Sequence, residues 1–271
     1  MSRYDYVTVG HVTVDVMADG TRRPGGGAFY SALQAARLGL RTLIVTKGVP
    51  EEIEELLEPY RDELSLQVLE AEHTTTLATA GSGAKRKQHV LAWAGAITEP
   101  LVLNTSILHL AAVARETPKR WRGHPDFVGL TPQGLVREWG ESGEISLVRM
   151  DPFDLPSHFD AAVLSESELS CCEQLAEGAL LAVTAGSQPT LVHLGDGVVV
   201  PVPLPVPLVA EPRDDLGAGD VFAAAFFVAL RDGLSALEAA AYGNAAAAVR
   251  ISGVGPRAVG TAEAIAAVSG R

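Results

Sequence analysis

Seven residues near the C-terminal end combine the residue types needed to bind an anion and react with it. They read Asp-Asp-Leu-Gly-Ala-Gly-Asp at 214–220, and an unbroken apolar run without Gly or Pro follows at 221–230. The run predicts a buried helix, so Gly217, Ala218 and Gly219 stand where that helix begins. Free backbone N–H groups and the positive end of the helix dipole meet at such a point, which favours an anion and most naturally a phosphate.

A carboxylate in the same first turn, that of Asp220, is a poor choice for holding an anion by itself. It is useful if Asp220 takes a proton from a hydroxyl that then attacks phosphorus. The alternative is an ordinary N-capping Asp after a glycine-rich turn. The motif alone does not decide between these two interpretations.

Length and charge limit the protein class. The chain has 271 residues, 47% of them hydrophobic, which suits one large domain with a small appendage. Its net charge of -12 and pI of about 5.0 argue against a nucleic-acid partner, although a small phosphate in a local pocket remains compatible. Adjacent Cys171 and Cys172 form no disulfide framework, the start lacks a signal-peptide core, and four prolines interrupt the most apolar stretch, 198–210. We therefore expect a cytoplasmic protein without a membrane partner.

The elements that must position these residues alternate between strands and helices, as in an α/β fold. Short apolar runs alternate with helical patterns after residue 106, which predicts a mainly parallel sheet covered on both faces. The predicted strands of this part are 107–112, 127–130, 147–150, 161–164, 180–184 and 191–194. A capping box, Ser235 with Glu238, predicts a helix through about Arg250.

Two other segments have a different pattern. Residues 12–16 and 64–98 contain short strand-like runs, including 65–70 and 88–93, separated by polar and glycine-rich turns. They predict a small sheet of short antiparallel strands that protrudes from the main body.

Several familiar sites are excluded by spacing. A Walker A loop would need Lys where Gly26 stands, and a dinucleotide fingerprint would need Gly where Phe222 stands. The histidines lack metal-ligand spacing, and no nucleophile elbow for Ser-His-Asp catalysis occurs.

The ordered set of motifs resembles the ribokinase-like (PfkB) carbohydrate kinases. The 214–220 stretch resembles their C-terminal Asp-Thr-x-Gly-Ala-Gly-Asp signature. Four more regions match in order and extend the resemblance over the whole chain: 24–28 with 35–39, 164–168, 183–186, and 243–248 with 253–255. The resemblance implies a three-layer αβα sandwich with a small β-sheet lid, as one domain over 1–271, with lid strands from about 12–22 and 64–98.

The resemblance also implies a role for each matching residue. Asp220 would be the catalytic base and Glu168 would help to position Mg²⁺. The amides of Gly217, Ala218 and Gly219 would form the anion hole. Further residues would line the two substrate sites: Asp15, Gly26, Gly27 and Gln133 for the acceptor, and Thr184, Gly186 and Asn244 for the nucleotide. ATP would be the phosphate donor, with a monovalent cation as an optional cofactor and a homodimer formed through the lid.

Departures from the family pattern leave two functions open. Asp215 replaces the family Thr, Ser165 replaces Asn, and Phe29 and Tyr30 stand where Asn is usual. The favoured function is a kinase for a hydroxyl of a sugar, polyol or nucleoside, and the rival is a non-catalytic binding or regulatory module. Residues 131–137 resemble a smaller subgroup that includes inositol and polyol kinases. Gln133 and Arg137, four apart there, are predicted to share a helix face, where Arg137 would either neutralise phosphate or lie on the surface.

Overall fold

The computed structural model describes residues 4–176, 178–205 and 212–269, and within them fifteen strands and six helices. The strands are β1 (Tyr6–Val9), β2 (Thr13–Met17), β3 (Arg22–Gly25), β4 (Thr42–Gly48), β5 (Ser65–Glu70), β6 (Thr76–Ala80), β7 (Lys87–Ala92), β8 (Ile107–Ala111), β9 (Phe127–Thr131), β10 (Arg137–Trp139), β11 (Ile145–Leu147), β12 (Ala161–Ser165), β13 (Leu180–Ala185), β14 (Gln188–His193) and β15 (Val199–Val202). The helices are α1 (Gly27–Arg37), α2 (Pro50–Leu57), α3 (Glu166–Leu169), α4 (Ala218–Arg231), α5 (Ala236–Ile251) and α6 (Ala262–Ser269).

Nine strands form the main sheet, in the order β15-β14-β13-β12-β9-β8-β1-β4-β5. All neighbours from β5 to β13 are parallel, whereas β14 and β15 extend one edge in antiparallel fashion. Helices α1, α2, α4, α5 and α6 pack on one face. Residues 97–103, short 3₁₀ turns and α3 cover the other. The predicted α/β class with a mainly parallel sheet is confirmed.

Helix α4 is the buried helix predicted from the apolar run. Its residues 221–229 are buried, and α5 packs closely against it. A Cβ atom at Gly243 of α5 would lie 2.8 Å from the ring of Phe222, so a larger residue would separate the two helices. The predicted capping box starts α5, since Ser235 and Glu238 accept each other's backbone N–H at 3.3 and 3.0 Å. No helix in the described ranges is long and apolar enough to cross a membrane.

Three sequence predictions were wrong in detail. Segment 65–70 is β5 and pairs with β4 at the edge of the main sheet, not with the small sheet. The prediction failed because an edge strand of a large sheet and a strand of a small sheet show the same alternation of polar and apolar residues. Segment 147–150 is not a strand of the main sheet, since only Leu147 is in a strand and it pairs with β10. Gln133 and Arg137 share no helix face, because Pro132–Val136 is a 3₁₀ turn and Arg137 begins β10.

The small sheet has the order β3-β2-β6-β7. The hairpin β6–β7 is antiparallel as predicted. The strand β3 was not predicted and pairs antiparallel with β2, whereas β2 and β6 pair in parallel, unlike the predicted antiparallel arrangement. Glu116 fixes the place where the chain leaves the main sheet for β2. Its buried carboxylate accepts N–H bonds from His11 (2.9 Å), Val113 (2.8 Å) and Ala114 (2.6 Å).

Side chains of two main-body residues, Asp215 and Arg137, form hydrogen bonds with the far side of the small sheet. At the turn between β6 and β7, the Asp215 carboxylate pairs with Arg86 and accepts the N–H of Gly83 at 2.7 Å. On β7, Gln88 Oε1 accepts a bond from Arg137 at 3.0 Å. Asp215, the residue that departs from the family Thr, therefore attaches the small sheet to the glycine-rich loop before α4.

Replacing Asp215 by Ala is expected to loosen this attachment. Loss of a charge-assisted hydrogen bond and a half-buried ion pair costs about 1–2 kcal/mol. The N–H of Gly83 should therefore exchange with deuterium about 5- to 30-fold faster, measured by NMR or mass spectrometry. Glu58→Ala, which breaks an exposed ion pair with Arg61, is the control. Equal exchange in Asp215→Ala and the wild type would contradict this function of Asp215.

Candidate active site

The candidate site lies where the N-termini of α1 and α4 meet at the carboxyl ends of the main-sheet strands. A Cβ atom at Gly27, the first residue of α1, would lie 3.0 Å from Oδ1 of Asp220 and 3.3 Å from the carbonyl oxygen of Ala111. The Asp220 carboxylate therefore rests directly on the start of α1. The backbone carbonyl of Asp220 accepts a hydrogen bond from the Ser31 hydroxyl at 3.2 Å, which joins the first turns of the two helices.

Three consecutive glycines allow this close approach, each against a different neighbour. At Gly25, a Cβ atom would overlap the carboxylate of Asp15, and at Gly26 it would overlap the carbonyl oxygen of His11. Gly26 also has φ of 88°, which favours glycine. The glycine motif therefore brings the Asp15 and Asp220 carboxylates to the two sides of one short loop.

The loop before α4 leaves only part of the predicted set of backbone N–H groups available for an anion. Gly217 caps the helix in the left-handed conformation, with φ of 78°, and its α-carbon packs against the ring of Tyr30. The N–H of Ala218 donates to the Asp215 carbonyl at 3.2 Å. Among the described residues, the N–H groups of Gly217 and Gly219 have no backbone partner, so these two amides are the more available donors for an anion.

Burial and neighbouring charges shift the ionisation of Asp220. Burial is the largest cause and raises its pKa to about 6, and the negative charge of Glu168 acts in the same direction. The cationic groups of Arg137 and Arg86 oppose this shift. A carboxylate with a pKa of about 6 is mostly ionised at neutral pH and is a stronger base than an ordinary Asp.

Asp15 lies on β2 of the small sheet and is 2% exposed, and its charge contributes to the raised pKa of Asp220. Burial, the largest cause, raises its pKa to about 6 as well, against a 2.8 Å hydrogen bond from the Thr13 hydroxyl and the charges of Arg137 and Arg86. The site therefore contains two carboxyl groups that accept protons more readily than free Asp.

Arg137 is a buried residue of this site rather than a surface residue. Its guanidinium donates to the Val113 carbonyl and to Gln88 Oε1, both at 3.0 Å. Burial lowers the pKa of Arg137, and the nearby carboxylates of Glu168 and Asp220 oppose that shift. Arginine remains charged throughout. Arg137 thus supplies a fixed positive charge inside the site, and the alternative of a surface position is wrong.

Glu168 and Ser165 form a capping box at the end of β12. The Glu168 carboxylate accepts the N–H of Ser165 at 2.7 Å, and the Ser165 hydroxyl accepts the N–H of Glu168 at 3.3 Å. Ser165 therefore has a local function where the family has Asn. Within the described ranges, no group of three or more acidic, His or Cys side chains could by itself hold a metal ion.

The remaining predicted residues lie in three places. Thr184 ends β13, and Gly186, with φ of 61°, starts the tight turn to β14. Gln133 lies half-buried in the 3₁₀ turn after β9. Asn244 is buried on α5, where it accepts the Thr190 hydroxyl at 2.7 Å and donates to backbone carbonyls of the segment 202–203. The Asn244 amide is thus engaged with β14 and β15.

Two charged residues near the site, Arg86 and Arg250, belong to no motif that was recognised in the sequence. Arg86 lies after the turn at 83–85, and its position depends on Asp215, which is remote in the chain. Arg250 lies near the end of α5 and contacts the back of the glycine-rich loop. In the sequence, an arginine within a helix of mostly small residues was a detectable signal for Arg250. Its partners at 214–216 are remote in the chain and were not predictable.

The fold and the motifs agree with comparisons to known proteins. Residues 99–262 match the family described as pfkB family carbohydrate kinase. One similar solved structure is a pyrophosphate-dependent kinase in the ribokinase family complexed with a pyrophosphate analogue and myo-inositol. It has 21% identity and a TM-score of 0.74, covering 93% of this chain and 96% of that one.

Two further structures have similar scores. Ribokinase of Arabidopsis thaliana, complexed with ribose and ATP, is 17% identical with a TM-score of 0.73 and covers 99% of both chains. The nucleoside kinase of Methanocaldococcus jannaschii is 16% identical with a TM-score of 0.73 and covers 100% of this chain and 99% of that one. A search of curated proteins found no match. The family match spans more than half of the sequence and the ribokinase fold extends over the rest, so the chain belongs to the pfkB family of carbohydrate kinases.

Proposed function

We propose that this carbohydrate kinase transfers a phosphoryl group from ATP to a hydroxyl of a small sugar, polyol or nucleoside. The observation that carries the proposal is the Asp220 carboxylate, which lies over the start of α1 beside the amides that begin α4. Asp220 takes the proton of the acceptor hydroxyl. The hydroxyl oxygen then bonds to the terminal phosphorus, and the bond from that phosphorus to the leaving phosphate oxygen breaks.

The anion hole consists of the backbone N–H groups of Gly217, Ala218 and Gly219. Gly217 and Gly219 are the stronger candidates, because Ala218 already donates to Asp215. These donors and the helix dipole stabilise the negative charge on the transferring group. The fixed charge of Arg137 lowers the pKa of Asp220 and so opposes the effect of its burial.

The acceptor site uses Asp15, Gly26, Gly27 and Gln133. The Asp15 carboxylate has a hydrogen bond from Thr13 on one oxygen and is suited to accept further bonds from substrate hydroxyls. The His11 carbonyl and the Asp220 carboxylate fill the places that side chains at Gly26 and Gly27 would take, so these glycines let the two aspartates approach the same stretch of backbone. This arrangement favours an acceptor with several hydroxyl groups.

On the donor side we assign Thr184 and Gly186 to the nucleotide, with Asn244 acting through the strands β14 and β15 that its amide binds. Mg²⁺ fits this site as an ion bound mainly by donor phosphates and water, because Glu168 has one carboxylate oxygen beyond its capping bond. The ion would neutralise phosphate charge when bound.

The rival, a non-catalytic module, was motivated by Asp215 and Ser165. Asp215 pairs with Arg86, and Ser165 caps the first turn of α3. Both departures therefore have a structural explanation, and neither indicates loss of catalytic function. Inorganic pyrophosphate is the second candidate donor, because the loop amides serve any terminal phosphoryl group and a structural neighbour is described as pyrophosphate-dependent. Donor screening therefore includes both compounds.

We also propose one kinase domain in a reducing, cytoplasmic environment, which suits the free thiols of Cys171 and Cys172. A homodimer through the small sheet is supported by three exposed apolar side chains near its β7 edge, those of Leu91, Trp93 and Leu147. Each is a proposal beside the catalytic one.

Asp220→Asn is expected to lower turnover by about 10²- to 10⁴-fold, because the amide cannot accept the hydroxyl proton. Turnover is measured with ATP and with pyrophosphate across sugars, polyols and nucleosides, and donor affinity should change little. Asp232→Asn, at the opposite end of α4, is the matched control. Full activity of Asp220→Asn would exclude Asp220 as the base. If the wild type shows no turnover with any acceptor but is stabilised thermally by a ligand, the binding module would be favoured.

The raised pKa of Asp220 predicts a pH-dependent stability difference. Its folded pKa of about 6 exceeds the ordinary value of about 3.9, so its contribution to stability is present at low pH and is lost as pH rises through 6. Asp220→Asn should therefore gain in Tm relative to the wild type between pH 5 and pH 8, measured by circular dichroism. The Tm difference of Asp232→Asn should stay constant over that range. A relative loss of Tm by Asp220→Asn at pH 8 would contradict the assigned burial cost.

A further inference from the structure

The guanidinium of Arg250 is enclosed by oxygen atoms behind the glycine-rich loop. The side chain is fully buried. Nη1 donates to the Asp214 carbonyl at 3.1 Å, and Nη2 donates to the Leu216 carbonyl at 2.6 Å and lies 3.2 Å from Asp214 Oδ2. One positive charge thus binds three oxygen atoms of the segment that leads into the anion hole.

Two carbonyl oxygens and a carboxylate are also the ligands that a bound alkali cation prefers. The monovalent cation implied by the family resemblance does not fit this position, because Arg250 already occupies it. The Asp214 carboxylate is further engaged by the N–H groups of Leu216 (3.0 Å) and Gly255 (2.8 Å), and Arg23 lies 3.5 Å from it. The carbonyl oxygens of Asp214 and Leu216 and the Asp214 carboxylate therefore have few lone pairs left to bind an added ion.

The contact to the Leu216 carbonyl orients the anion hole. In a trans peptide, the C=O of one residue and the N–H of the next point in opposite directions. Because the Leu216 carbonyl points at Arg250, the N–H of Gly217 points away from it, toward the front of the loop. A cation behind the loop therefore directs an N–H donor to its phosphate side.

Tyr30 completes this arrangement. Its ring packs against Gly217, and the guanidinium carbon of Arg250 lies 5.3 Å from the ring centroid. This distance is within the range of a cation–π interaction. Tyr30 stands near the place where the family pattern has Asn, so the departure accompanies the buried arginine.

We propose that Arg250 is a built-in substitute for a monovalent cation and makes this kinase independent of potassium and sodium. The inference rests on the proposed kinase function. Arg250 is a positioning residue, since it touches the back of the loop and no reacting atom. Its charge orients the loop amides in every molecule, whereas a soluble ion would do so only when bound.

The first test compares the wild type in potassium chloride and in N-methylglucamine chloride at equal ionic strength. The kcat/KM for the donor should agree within about twofold. Activation by potassium of more than tenfold would overturn the proposal. If the wild type shows no turnover in either salt, the kinase proposal fails separately, and the thermal shift caused by pyrophosphate then decides. An equal shift in both salts supports the built-in cation, and a shift only with potassium overturns it.

The second test uses Arg250→Ala, checked for folding by circular dichroism. In N-methylglucamine its donor KM should rise about tenfold or more, and potassium or millimolar guanidinium should restore part of the loss. A purely structural function of Arg250 would not create potassium dependence. Arg250→Lys, which keeps the charge, should stay independent of potassium and serves as the decisive variant if Arg250→Ala does not fold. Arg257→Ala, at an exposed position nearby, is the control. Potassium dependence of Arg250→Lys equal to that of Arg250→Ala, or no rescue of a folded Arg250→Ala, would contradict the proposal.

Discussion

The site depends on balancing negative charge where little water can reach. The charges of Asp15 and Glu168 both act on Asp220, and burial raises the pKa of both aspartates. Uncompensated, such a group of buried carboxylates would become protonated or destabilise the packing around it. Arg137 and Arg86 prevent this, and each is attached to the small sheet or its turn. The small sheet therefore belongs to the electrostatics of the site as well as to its shape.

Local patterns predicted much of this arrangement. The apolar run of α4, the capping box at Ser235 and the glycine loops at 25–27 and 217–219 depend on neighbours within a few residues, so the sequence carries their signal directly. The parallel sheet followed from the alternation of short strands and helices. Asp220 was predicted from its place directly after the 217–219 glycines, whereas Asp15, ten residues before Gly25 in the chain, was assigned only through the family resemblance.

Long-range pairing was not predictable in the same way. Whether 65–70 joins the main or the small sheet depends on the partner strand, since both positions give the same alternation. The pairing of Asp215 with Arg86, and the contact of Arg250 with Leu216, connect segments that no local pattern relates. Arg137 could be assigned to the site only after Pro132–Val136 proved to be a 3₁₀ turn, which directs the chain into β10 rather than along a helix.

The parallel pairing of β2 with β6 has a consequence for how the enzyme folds. Each hairpin of the small sheet closes locally, but β2 and β6 come from distant parts of the chain, and β4, α2 and β5 lie between them. Closing that long loop costs chain entropy, and main-sheet contacts must compensate it first. We therefore expect the small sheet, which carries Asp15, to assemble after the framework that carries Asp220. Folding intermediates with a complete main sheet would contain the base and lack the surface that presents a substrate to it.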